Sequence, residues 1–162
     1  MIKKITTLLC LSMFAMAAMA QVNIYDTKAD AQADLKKAIE RAKVEGKHVF
    51  VQVGGNWCPW CVRFHNLTDT NAVLKNTLET NFVVVRVNYS KENKNEAALE
   101  QLEFPQRFGY PVFVILNAEG KRIHTQSSGY LEQGKGYDEK AVNDFLKAWT
   151  PAAVNPETYK KK

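Results

Sequence analysis

The chain has 162 residues, with 22 Lys and Arg against 17 Asp and Glu, a formal charge of +5 and 46 % hydrophobic residues. That length supports one domain with a proper core and is short for two. The weak positive charge, with no basic residues interleaved with aromatics along one face, excludes a nucleic-acid binder. Three cysteines are too few for a disulfide-stapled scaffold.

Residues 1–20 read as a cleaved signal peptide. Lys3 and Lys4 precede an apolar run from Ile5 to Met19, and Ala18-Met19-Ala20 forms an A-x-A cleavage site before Gln21. The run is too short and wrongly flanked for a stable membrane anchor. Thr7-Leu8-Leu9 before Cys10 lacks the small residue of a lipoprotein signal. Cleavage leaves two cysteines, Cys58 and Cys61, and takes the formal charge from +5 to +3 by removing Lys3 and Lys4.

The domain is expected over residues 21–150, ahead of a loosely ordered tail at 151–162 whose closing lysines read as solvated. Asp30 or Asp26 caps a first helix running to about Glu45, with Leu35, Ala38, Ile39 and Ala42 on one face and Gly46 ending it. His48 to Val53 is a buried strand. Gly54-Gly55-Asn56-Trp57 turns into a helix that opens with Cys58-Pro59-Trp60-Cys61. Asp69 or Thr68 restarts a helix carrying Val73, Leu74 and Leu78 inward. Phe82 to Asn88 is a second strand, near-continuously apolar and so suited to a parallel or central position.

A polar loop then leads to a short helix at 96–102, which Pro105 stops. Gly109-Tyr110-Pro111 precedes a third strand, Val112 to Leu116. Asn117-Ala118-Glu119-Gly120 turns into a fourth strand, Lys121 to Gln126. Ser127 to Tyr137 reads as loop, and Asp138 caps a last helix that Pro151 stops.

The C-x-x-C pair carries the chemistry. Strand, short turn, then C-x-x-C at a helix start is the context of a redox pair. A helix N-terminus offers unpaired N–H groups and the positive end of the macrodipole, which stabilise a thiolate. Cys58 is expected there, accessible and attacking; Cys61, one turn deeper, is placed to resolve a mixed disulfide. A plain structural disulfide is disfavoured, because so small a loop removes little unfolded-chain entropy. His65, four residues after Cys61, admits three readings: packing, tuning of Cys61, or a third metal ligand. The last lacks a fourth ligand, since His48 and His124 have no supporting spacing.

Trp57-Cys58-Pro59-Trp60-Cys61, Gly109-Tyr110-Pro111 before an apolar strand, and Asn117 to Lys121 occur in the order that resembles the thioredoxin-like family. The resemblance covers roughly residues 26–150 and is closer to exported bacterial thioredoxin-like and disulfide-isomerase-like proteins. It implies an α/β, thioredoxin-like fold: a central mixed sheet of four to five strands flanked by helices. It also implies that Pro111 sits in a cis-proline loop which, with Tyr110, holds a substrate strand. There are departures. Thioredoxin has a buried carboxylate six residues before its first cysteine, whereas this chain has Gln52. Arg86 stands where a lysine is common, and Arg does not relay protons.

Among the flanking residues, Pro59 suits the first helical turn, where its missing N–H costs nothing. Trp57 is expected to pack partly under the turn and Trp60 to lie near the surface, in contact with substrate. Tyr110, Tyr130 and Tyr137 are candidates for the rim of a substrate groove. The resulting expectation is an exported, periplasmic thiol–disulfide oxidoreductase, a reductase or isomerase of protein disulfides. It would act as a monomer, with a redox partner, a membrane electron carrier among the candidates, to regenerate it. No cofactor is required, because electrons pass by thiol exchange. The rival expectation is a binding module or metal-binding domain that would keep its affinity when both cysteines become serine.

Overall fold

The computed structural model describes residues 23–160. The signal-peptide reading and Cys10 therefore lie outside the described residues. The first helix, α1, spans Ala31–Glu45. Asp30 caps it by accepting from the backbone N–H of Gln32 and Ala33 at 3.0 and 3.1 Å. Gly46, at φ 65°, takes the left-handed conformation that closes a helix cheaply only at glycine. Asp26 instead accepts from Lys28 in a turn just before the helix.

Strand β1, His48–Gly54, lies between its two neighbours. It runs parallel to β2, Phe82–Asn88, and antiparallel to β3, Val112–Leu116. Strand β4, Arg122–Ser127, pairs antiparallel with β3, giving the order β2-β1-β3-β4. The sheet is thus mixed and four-stranded, within the expected range. β2 is parallel but lies at the edge, with Val84 38 % exposed.

Both faces of the sheet are covered, which is why β1 and β3 read as continuous apolar runs. Val49, Val51 and Val53 of β1 join Val112, Val114 and Leu116 of β3 on one face, under Leu35, Ala38 and Ala42 of α1. Ala98 and Leu99 of α4, Glu96–Gln101, extend that layer. Phe50 of β1 and Phe113 and Ile115 of β3 point to the other face. There they meet α2, Pro59–Thr70, through Phe64; α3, Ala72–Asn81, through Leu74 and Leu78; and α5, Glu139–Ala148, through Val142, Phe145 and Leu146. The strict alternation puts Gln52 and Gly54 on this second face, the one that carries α2.

Three boundaries differ from those expected. The break between α2 and α3 falls at Asn71, not at Thr68 or Asp69. Asn71 Oδ1 accepts from Val73 and Leu74 N–H, whereas the Thr68 hydroxyl donates back to the Phe64 carbonyl at 3.0 Å. Committed inside its own helix, Thr68 cannot cap the next one. The stretch expected as loop after β4 holds a helical turn at Ser128–Leu131 and a two-stranded ribbon, β5 at Glu132–Gln133 with β6 at Gly136–Tyr137. After Pro151 the chain forms a short helix, α6 at Pro151–Val154, and a further turn at Pro156–Tyr159, with none of these residues buried. Proline opens each of these two turns, at a position where its missing N–H is not needed.

Candidate active site

β1 ends at Gly54, and three residues carry the chain to Cys58, which is the N-cap of α2. Pro59 occupies the first turn. Cys58 and Cys61 are joined in a disulfide with Cα atoms 5.3 Å apart. Cys58 Sγ accepts from the Cys61 backbone N–H at 3.1 Å. One of the orphan donors of the helix start is thus spent on the sulfur, where it favours negative charge once the pair is reduced. Cys61 is fully buried and Cys58 is only 3 % exposed, so the expectation of an open Cys58 is corrected. Tyr25 shares the buried cluster with both cysteines, and Ile24, Trp60 and Tyr110 pack against it.

The two tryptophans exchange their expected roles. Trp57 is the exposed one, at 52 %, with its indole N–H donating to the Tyr89 carbonyl at 2.6 Å. Trp60 is half-buried, edge-on to Tyr137 with ring centroids 5.5 Å apart and under the Arg63 guanidinium. The reason lies in the tertiary packing. Position 60, inside the first turn, meets β6, where the Tyr137 ring covers the indole and the Tyr137 hydroxyl donates to the Trp60 carbonyl. Position 57, before the cap, points out.

Trp57 begins an aromatic ledge. It meets Tyr110 edge-on at 5.2 Å, and Tyr110 stacks on Tyr89, also at 5.2 Å. Burial, reinforced by Tyr89, pushes the Tyr110 phenol up to about 12, so it stays protonated. The Tyr110–Pro111 peptide bond is cis and leads directly into β3. A cleft of about 380 Å³ opens beside the ledge, lined by Trp57, Tyr89, Ser90, Lys91, Glu92 and Lys94. Tyr130 is 84 % exposed and belongs to none of these contacts.

Beneath the pair, Gln52 is 2 % exposed and donates from Nε2 to the Cys61 carbonyl at 3.2 Å. It holds the first turn of α2 onto β1, which an amide does without taking a proton. His65 Nδ1 lies 3.2 Å from Arg86 Nη2. Because guanidinium only donates, Nδ1 is the acceptor. Burial first, then the Arg86 charge, hold the imidazole below its usual pKa against the opposing pull of Asp69. His48 and His124 are elsewhere: His48 Nδ1 lies 2.8 Å from the Trp149 carbonyl, and His124 stacks on the Trp149 ring. Among the described residues, no group of three or more His, Cys, Asp or Glu side chains is placed to hold a metal ion.

Two participants were not legible in the sequence. Asn56 Oδ1 accepts from the backbone N–H of Ile24 and Tyr25 at 2.9 and 3.0 Å, and its amide donates to the Tyr25 carbonyl. The turn before Cys58 thereby clamps a segment more than thirty residues upstream. Tyr25 itself, read only as part of an extended lead-in, is 3 % exposed against the disulfide.

A cysteine pair closed at a helix N-cap, on this sheet and beside the Pro111 loop, defines a thioredoxin-like disulfide oxidoreductase site. The chain belongs to the thioredoxin-like family, whose model matches residues 30–118, more than half of its length. It is similar in structure to a disulphide isomerase from Xylella fastidiosa Temecula1, with a TM-score of 0.70 and 26 % identity over 79 % of this chain and 97 % of that one. It is also 24 % identical over 102 residues to the thiol:disulfide interchange protein DsbD of Vibrio cholerae serotype O1, a match covering 62 % of this chain and 16 % of that protein. The chain thus spans about a sixth of the length of that relative.

Proposed function

We propose that this chain is an exported thiol–disulfide oxidoreductase that reduces or isomerises disulfides in proteins. The observation that carries this reading is the Cys58–Cys61 disulfide at the N-cap of α2, with a backbone N–H directed at the Cys58 sulfur. In the reduced protein, Cys58 attacks a substrate disulfide and the substrate's leaving sulfur departs as thiolate. Cys61 then attacks Cys58, re-forming the internal disulfide and releasing the second substrate sulfur. Two electrons pass to the substrate, and a dithiol partner returns them to the pair. The ledge of Trp57, Tyr110 and Tyr89, with Pro111 at its base, supplies the apolar surface on which an extended peptide is held.

Turnover tests this directly. The mature protein should accelerate the reduction of insulin by dithiothreitol; no acceleration at equal thiol concentration contradicts the reading.

Export rests on the basic start, apolar run and Ala18-Met19-Ala20 site. Among the described residues, no helix is long and apolar enough to cross a membrane. Protein recovered from the periplasm should begin at Gln21, and N-terminal sequencing checks this. A chain retained in the cytoplasm with Met1 intact contradicts it.

A further inference from the structure

The proposed exchange leaves one need unmet. When a donor thiolate attacks Cys58, the Cys58–Cys61 bond breaks and its electron pair leaves on Cys61 Sγ, which is fully buried. A bare thiolate in an apolar site is costly. The position of thioredoxin's buried carboxylate holds Gln52, whose Nε2 is already given to the Cys61 carbonyl.

A free donor is present nearby. The Tyr25 hydroxyl is buried and makes no hydrogen bond of good geometry, although the Gln52 side chain lies close enough to act on it. A buried hydroxyl without a partner is uncommon and calls for an explanation. Its position supplies one. A Cβ added at Gly54 would overlap Cys61 Sγ and lie 2.7 Å from Tyr25 Oη, so sulfur and hydroxyl both border the space that glycine leaves open. The Asn56 clamp fixes the Tyr25 backbone at this place.

We propose that Tyr25 is the hydrogen-bond donor that stabilises the Cys61 thiolate as it leaves and while it waits to resolve a mixed disulfide. This rests on the oxidoreductase reading above. In the reductive step the donor sulfur bonds to Cys58, the internal disulfide breaks, and Cys61 Sγ receives the electron pair and the Tyr25 O–H hydrogen bond. A second donor thiolate then attacks the mixed disulfide at the donor sulfur, expelling Cys58 as thiolate and leaving the donor as a disulfide. Tyr25 keeps its proton throughout. Burial raises its phenol well above the usual value, and the Gln52 amide and Arg86 charge offset this only in part. The other groups around the cluster are Tyr137 of β6 and Tyr110 beside Pro111, with His65 of α2 turned to Arg86. All of them remain in a variant that removes only the Tyr25 hydroxyl.

The test compares the wild type with Tyr25→Phe in two measurements. One is the rate of reduction of the oxidised protein by dithiothreitol. The other is the thiol pKa of each cysteine in the reduced protein, from ¹³Cβ shifts. Loss of a hydrogen bond to a charged group should slow reduction about tenfold and raise the Cys61 pKa by about one unit, leaving Cys58 nearly unchanged. Wild-type rates with an unshifted Cys61 overturn the proposal while leaving the oxidoreductase reading intact. A wild-type protein with no reducible pair overturns both.

Should the variant fold poorly, the wild type carries the test alone. The Tyr25 ¹³Cζ resonance should shift on reduction and follow the Cys61 titration, and a resonance indifferent to both overturns the proposal.

Discussion

Cys61→Ser should arrest turnover and accumulate a covalent complex between Cys58 and its substrate, whereas Cys58→Ser should lose both turnover and complex. The asymmetry follows from position. Cys58, at the N-cap, receives the Cys61 backbone N–H on its sulfur and is the one cysteine of the pair that keeps any exposed surface, 3 %. Cys61 is fully enclosed and meets only what Cys58 has already bound. Deleting the nucleophile removes the covalent step outright, a loss of several orders of magnitude in rate. Deleting the resolving thiol leaves the first step intact and blocks the second. Non-reducing electrophoresis of each variant with a disulfide-bonded substrate distinguishes the two. Stable adducts on Cys58→Ser, or equal turnover in either variant, would contradict the assignment. So would a double serine variant that retains full activity.

Phe50→Ala should destabilise the oxidised protein by about 3–5 kcal/mol, the range for emptying a buried phenylalanine site. Phe50 is 1 % exposed and sits on β1, the strand bonded to both β2 and β3. Its ring meets Phe113 at 5.4 Å, Phe64 at 5.9 Å, Phe82 at 6.0 Å and Phe145 at 6.3 Å. These partners come from β3, α2, β2 and α5, so the surrounding wall belongs to four elements and cannot collapse onto the gap by moving one. Against a total stability of roughly 5–15 kcal/mol, the loss should lower the melting temperature by roughly 10–20 °C. Urea unfolding at fixed redox state measures it. A fall of less than about 1 kcal/mol would mean that the cavity refills and that the aromatic layer does not anchor α2.

How much of this is readable in the sequence depends on the range of the interaction. β1 and β3 announce themselves because both faces are buried, and α1 because Asp30 and Gly46 bracket it. C-x-x-C after a strand marks the site because its chemistry is local, set by the first turn of α2. The α2–α3 break is not legible locally because Thr68, Asp69 and Asn71 are all competent caps in isolation. Only the buried environment of Thr68 turns its hydroxyl inward. The burial of Trp57 and Trp60 escapes local reading for a related reason. Spacing says which side of the cap each occupies, but Tyr137, which buries Trp60, arrives from β6.

Tyr25 lies at the far limit of legibility. Nothing within ten residues of it signals a role, and its placement depends on Asn56, whose amide reaches back across 31 residues. Asn56 is legible as a turn residue before Trp57-Cys58, but not as the closure of a long-range clamp. Gln52 shows the converse. Its departure from the family pattern was plain in the sequence, and the structure adds the bond it makes instead.

The reduction potential of the Cys58–Cys61 couple, from equilibration of the mature protein with glutathione or dithiothreitol, tests the central claim most directly. The account predicts a reversible two-electron couple between about −180 and −270 mV, the span from disulfide isomerases to thioredoxin. A couple more negative than about −300 mV would mark a structural bridge, and one near −120 mV a dedicated oxidant; either would contradict it, as would no reversible couple at all.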